Sequence, residues 1–88
     1  MTVILVNEDN HGLITVAKDY KSAVKFLINN RWIEDYTWVW NEIDGSSVHL
    51  IELLGENAMD KMTEEWDIDN FNAFWDGNFY LEEVKVYE

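Results

Sequence analysis

The sequence predicts an α+β fold, in which a small antiparallel sheet of an N-terminal hairpin and a C-terminal strand packs against roughly three or four short helices. Three observations carry that expectation. β-rich apolar runs stand at both ends of the chain, "TVILV" and "LITVA" at the start and "FYLEEVKVYE" at the close. Between them the apolar residues recur mostly at helical spacing. Hydrophobic residues make up 48% of the 88, five of them tryptophan, and no proline interrupts them. A chain this short buries a limited core. This one is rich enough per residue that a single ordered domain over 1–88 is expected rather than disorder.

The elements follow in order. Residues 3–6, "VILV", are apolar on both faces, as suits a central strand. Residues 7–12 supply turn formers, with Gly12 free to take positive φ, and residues 13–17 return as the second strand. "KDYKSAVKFLINNRW" is a helix capped by Asp19. Tyr20, Ala23, Val24, Leu27 and Ile28 form its buried stripe, and Lys21, Lys25 and Asn29 lie opposite. "DYTWVWNE" alternates, so Tyr36, Trp38 and Trp40 point one way and Val39 the other. Asp44-Gly45 then allows either a hairpin into residues 47–51 or a helix capped by Ser46 or Ser47 and ending at Gly55. The helix is preferred, because "IELL" and a terminal glycine suit it better.

"ENAMDKMTEEW" is a further short helix, with Met59, Met62 and Trp66 on a shared face. In "WDIDNFNAFWDGNFY" Asp67 caps an amphipathic helix. Its residues Ile68, Phe71, Phe74 and Trp75 cover an arc of about 120°. Asp69, Asn72, Ala73 and Asp76 are placed outward, and Gly77 ends the helix before a strand opens at Phe79. That strand slips phase, since Phe79 and Leu81 are odd-numbered and Val84 and Val86 even. A bulge near Glu82-Glu83 is expected.

Charge is the strongest compositional signal. Eighteen acidic residues against six basic ones leave a net charge of −12. Residues 1–44 hold seven acids and four bases, and residues 45–88 hold eleven and two. Direct nucleic-acid binding and anionic membranes are disfavoured, and a basic partner surface is favoured. At one charge per ≈ 1.7 Å, twelve charges match roughly 20 Å of duplex, while an 88-residue globule is about 30 Å across. The charge density therefore approaches that of DNA. The bland alternative is that acidity serves solubility alone.

Catalytic and metal patterns are missing. Without cysteine, disulfides and thiolate metal sites are excluded. "DIDNFN" starts like a calcium loop, but Phe71, Asn72 and Asn78 stand where an oxygen ligand, glycine and glutamate belong. His11 and His49 form no zinc pair. Ser46 and Ser47 sit in no strained nucleophile turn, and the adjacent pairs Glu34-Asp35, Glu64-Glu65 and Glu82-Glu83 diverge as neighbours do. No catalytic, cofactor-binding or metal residue is assigned, and a non-enzymatic protein is expected. Residues 1–6 lack the basic start of a secretion signal, and no apolar run reaches the length of a membrane span. A cytoplasmic protein is the resulting expectation. Candidate partner-binding residues are Glu64, Glu65, Asp67, Asp69, Asp76, Glu82 and Glu83. For Tyr36, Trp38 and Trp40, core is the simpler expectation; the alternative is an exposed strip serving as an interface, including one between two copies of the chain.

Two segments, "VILVNEDNHGLITVAKDYKSAVKFLI" and "WDIDNFNAFWDGNFYLEEVKVY", resemble the beginning and end of small acidic proteins encoded by phages and prophages of Gram-positive bacteria. They cover over half of the chain and consist mainly of core and turn residues, so no functional residue transfers. The resemblance implies a bacterial host cell and, among such proteins, inhibitors of host defence, including anti-CRISPR proteins that mimic DNA. A DNA-mimic inhibitor of a host nucleic-acid-binding protein is the leading expectation. A structural or accessory phage protein, as a homodimer, is the alternative.

Overall fold

The computed structural model describes residues 1–41 and 43–87. Its elements are β1 (Thr2–Glu8), β2 (Gly12–Ala17), α1 (Tyr20–Asn29), β3 (Trp38–Asn41), β4 (Ser46–His49), α2 (Leu50–Leu54), α3 (Ala58–Glu65), α4 (Ile68–Phe74) and β5 (Phe79–Lys85). The fold is α+β, as the sequence predicts. β2, β1 and β5 form an antiparallel sheet in that order, and β3 and β4 form a separate two-stranded sheet.

β1 is the central strand. Ile4 and Val6 point to the helices and are 2% and 0% exposed. They meet Ala17 and Thr15 on one side and Glu83 and Leu81 on the other. Helices α1, α3 and α4 cover this face with Ala23, Val24, Leu27, Met62, Phe71 and Trp75, all buried. Trp75 is the largest fully buried side chain. Its indole Nε1–H has no acceptor among the described residues, so volume and ring packing on Phe79, 5.5 Å away, hold it there. The opposite face of the sheet carries Val3, Leu5, Val16, Tyr80 and Val84, all half-buried or exposed.

That second face explains the phase slip in β5 and corrects the expected bulge. β5 pairs with β1 without a break, from Thr2 opposite Lys85 to Glu8 opposite Phe79. Leu81 is the last residue of β5 in the core, and Val84 belongs to the open face, opposite Val3. The two apolar phases serve two faces. The irregularity in this sheet lies between β1 and β2, at Val6 and Asn7.

A second correction concerns residues 46–49. They are a strand paired with β3, not the start of a helix. Gly45, at φ +68°, turns the chain, and its N–H donates to the Asn41 carbonyl at 2.9 Å. Ser46 donates to Asp44 at 2.6 Å and caps no helix. The helix begins only at Leu50 and ends at Gly55, at φ +77°. β-Branched Val48 pairs with Val39 across the hairpin, a tertiary gain that outweighs the weak helix preference of two serines.

The capping expectations at Asp19 and Asp67 hold. Asp19 accepts from the Ser22 N–H at 2.8 Å. Asp67 accepts from the Asn70 N–H at 2.9 Å, and the Asn70 side chain completes a capping box. The expected outward face of α4 is only partly outward. Asn72 turns to β5, where its amide donates to the Leu81 carbonyl and accepts from the Leu81 N–H, both at 2.8 Å. It behaves as a one-residue strand on the free edge of the sheet. Replacing Asn72 with alanine leaves both half-buried groups of Leu81 unpaired and should cost about 1–2 kcal/mol, read as a lower denaturation midpoint with unchanged slope.

α1 ends in a Schellman motif. The Trp32 N–H donates to the Leu27 carbonyl at 2.9 Å and the Arg31 N–H to Ile28 at 3.1 Å. Arg31 takes the left-handed position, φ 61°, where glycine is unstrained. Arg31→Gly should raise stability by about 0.5–1 kcal/mol, measured by the same denaturation experiment.

Candidate functional site

Every described carboxylate except Glu8 and Asp35 is exposed. Among the described residues, Lys21 with Glu64, at 2.8 Å, is the one lysine or arginine salt bridge. That hydrogen bond holds the Glu64 carboxyl below its usual range and the Lys21 ammonium above its own. Glu8 is held low by the His11 ring at 2.7 Å and by the Asn10 N–H. Four of the six basic residues, Lys18, Lys21, Lys25 and Arg31, lie on or beside α1.

The candidate acidic residues divide into four places. Asp67, Asp69 and Glu83 surround one depression, with Tyr20 and Ile68 in its walls. Tyr20 donates to the Met62 carbonyl at 2.8 Å, and burial, with the Asp67 charge, pushes its phenol well above the usual range. Asp76 stands at the far end of α4, beside Glu8 and Asp9 and the turn to β5. The sequence places Asp69 and Asp76 on one outward helix face, but α4 ends at Phe74 with Trp75 as its C-cap, so Asp76 lies past the helix in the turn to β5. Asn72 lies between the two on Leu81. The other candidates are dispersed. Glu82 faces the open side of the sheet, opposite Leu5, while Glu83 faces the helices. Glu64 and Glu65 close α3, where no basic residue occupies the last turn. Carboxylates at a helix C-terminus oppose the helix dipole. Lys21 offsets that for Glu64 but not for Glu65.

The aromatic strip is exposed and does not join the core. Tyr36 is 70% exposed, Trp38 56% and Trp40 42%, whereas Val39 between them is 1% exposed. One face of the β3–β4 hairpin covers the core through Val39 and Val48, and the other carries the exposed Trp38 and Trp40. Trp38 is stacked on His49, ring centroids 4.0 Å apart, and Tyr36 meets the same ring edge-on. A hollow of about 280 Å³ lies between Trp38, Val39, Trp40 and Ser47 on the hairpin and Asp76 and Asn78 on the α4–β5 turn. Nothing in the local pattern of either segment announces this meeting, because 36 residues separate Trp40 from Asp76.

Other cavities offer less. One of about 530 Å³ between α1 and α3 mixes Lys25 with Asp35, Asp60 and Glu64 around Met59 and Thr63. Among the described residues no three His, Cys, Asp or Glu side chains converge to hold a metal. No helix of the described residues is long and apolar enough to cross a membrane.

The molecule is longer than its size suggests, 43 × 23 × 22 Å. Twelve net charges over 43 Å are one per about 3.6 Å. That is close to the ≈ 3.4 Å per phosphate of one strand and half the density of a duplex.

No protein-family model, curated protein or solved structure matches this chain.

The depressed carboxyls have a pH consequence. Hydrogen bonding to the Ser22 N–H holds Asp19 below its ordinary value. A group with a lowered folded-state pKa contributes stability above its unfolded pKa and loses it as pH falls through the folded one. Acid titration from pH 5 to pH 2 should therefore weaken α1 progressively. Asp19→Asn keeps the cap but removes the titration, so its loss of helical circular dichroism in acid should be smaller.

Proposed function

We propose that this chain is a non-enzymatic binding protein that engages a basic protein surface of the kind that holds nucleic-acid phosphates. The observation that carries the reading is the ordered display of unpaired carboxylates along α4 and β5. Asp67, Asp69 and Glu83 stand at one end and Asp76 at the other, none with a lysine or arginine partner among the described residues. The capping box and the Asn72 bridge hold that display in place, so little ordering remains to be lost on binding. Glu65 fits the same reading, since its position opposes the helix dipole and brings α3 no local benefit. The resemblance to small acidic phage proteins supplies the setting, an inhibitor that occupies a host nucleic-acid-binding protein in the bacterial cell. An anti-CRISPR role, with the basic channel of an effector nuclease as target, is the specific form of that proposal.

The exposed Tyr36, Trp38 and Trp40 strip also offers a seat to a second copy, which is the accessory-protein reading. Two chains of charge −12 repel each other, so a basic partner is preferred.

Competition with duplex DNA for lysine-rich linker histone tests the proposal. Raising salt from roughly 50 to 300 mM should weaken the competition at least about tenfold. The triple variant Asp67→Asn, Asp69→Asn, Glu83→Gln should weaken it about fivefold more than Glu34→Gln, Asp44→Asn, Glu52→Gln, which removes the same charge. Equal losses in the two triples would make binding a matter of net charge rather than of this display, and no loss in either would leave the acidity to solubility. Salt-independent competition would exclude electrostatic mimicry.

A further inference from the structure

We propose that the hollow between Trp38, Trp40 and Asp76 receives an arginine side chain of the basic partner. This rests on the reading of the chain as a binder of basic surfaces, and it names the group that the surface recognises. Residues two apart on one face of a strand stand about 6.8 Å apart. Carbon atoms pack at about 3.5 Å, so one planar group fits between two such rings. Trp38 and Trp40 both line the one hollow, with Val39 between them in sequence. Stacking on His49 restrains Trp38. Asp76 and Asn78 close the hollow from the α4–β5 turn, and Asp76 has no salt-bridge partner of its own among the described residues.

The chemistry selects arginine over its rivals. A guanidinium is planar, stacks on aromatic faces and offers paired donors to a carboxylate, whereas a lysine ammonium is a compact charge that cannot fill a slot. A nucleobase also stacks between aromatic rings. Here the backbone phosphates would meet Asp76, with Glu8 and Asp9 just beyond it, on a chain of net charge −12. At about 280 Å³, the hollow suits one side chain and falls below the usual range of small-molecule pockets. Tryptophan and arginine are also the residues enriched where binding energy concentrates.

The test compares hexa-arginine with hexa-lysine by calorimetry and follows the Trp38 and Trp40 indole N–H signals by NMR. Hexa-arginine should bind about fivefold more tightly than hexa-lysine and shift both indole signals. The preference should vanish in Trp40→Ala and in Asp76→Asn and persist in Asp44→Asn, which removes the same charge elsewhere. Trp40→Phe keeps a stacking ring and should retain part of the preference, which separates loss of stacking from loss of fold. Equal affinity for the two peptides, or a preference that survives both Trp40→Ala and Asp76→Asn, would overturn the arginine site and leave the acidic binding surface standing. Failure of both peptides to bind would overturn both. An oligothymidine that shifts the two indoles more than hexa-arginine does would overturn the arginine site in favour of a base-stacking one.

Discussion

The seating of α4 on the free edge of β5 is the contact on which the rest of the surface depends. It has an apolar and a polar half. Phe71 and Trp75 enter the core beside Phe79 and Leu81, all buried. Asn72 then bonds both backbone groups of Leu81. Burying two large aromatic side chains supplies several kcal/mol of hydrophobic stabilisation, but burial alone is non-directional. The Asn72 bridge sets the register of helix against strand. Once it is set, Asp69 reaches the depression shared with Glu83, and Asp76 reaches the turn beside the Trp38–Trp40 hairpin. The same bridge blunts a sheet edge that would otherwise invite pairing with another chain.

The charge has a structural counterpart. A net charge of −12 on 88 residues works against the compact state through self-repulsion. The chain responds with an aromatic-rich core and with its basic residues concentrated around α1, where Lys21 ties α1 to α3 through Glu64. Lys85 is the one base on α4 or β5, and it forms no salt bridge among the described residues. The carboxylates of α4 and β5 therefore stay free of salt bridges among the described residues while the interior holds them in shape. For a partner made of lysine and arginine, that arrangement provides attraction at long range and a defined pattern at contact.

The open face of the three-stranded sheet shows how far so small a chain can go. Helices cover the side of Ile4, Val6 and Leu81, and Val3, Leu5, Val16 and Val84 remain at the surface or half-buried. In a short chain the surface is large relative to the volume enclosed, and the residues that would cover the second face are spent on the β3–β4 hairpin and α2. Apolarity on both sides of residues 3–6 thus correctly marks the central strand without implying burial on both sides.

Local chemistry was legible in the sequence by itself. The caps at Asp19 and Asp67, the stop at Gly55, the buried stripe of α1 and the apolar arc of α4 all depend on residues within a few positions of one another. Hydrogen bonds and helical periodicity act over that range, so spacing alone determined them. Tertiary structure decided what depends on distant partners. Residues 46–49 became a strand because Val39 was there to pair with Val48, and β5 kept its register because its two apolar phases had two faces to serve. Asn72 turned inward because Leu81 had an unpaired edge. The candidate carboxylates separated into four places, and Trp38 and Trp40 stayed exposed beside Asp76, because which face of an element is covered is a property of the packed chain. An alternating strand records that it has two faces, and only the assembly of helices and sheets over the core assigns one of them to solvent.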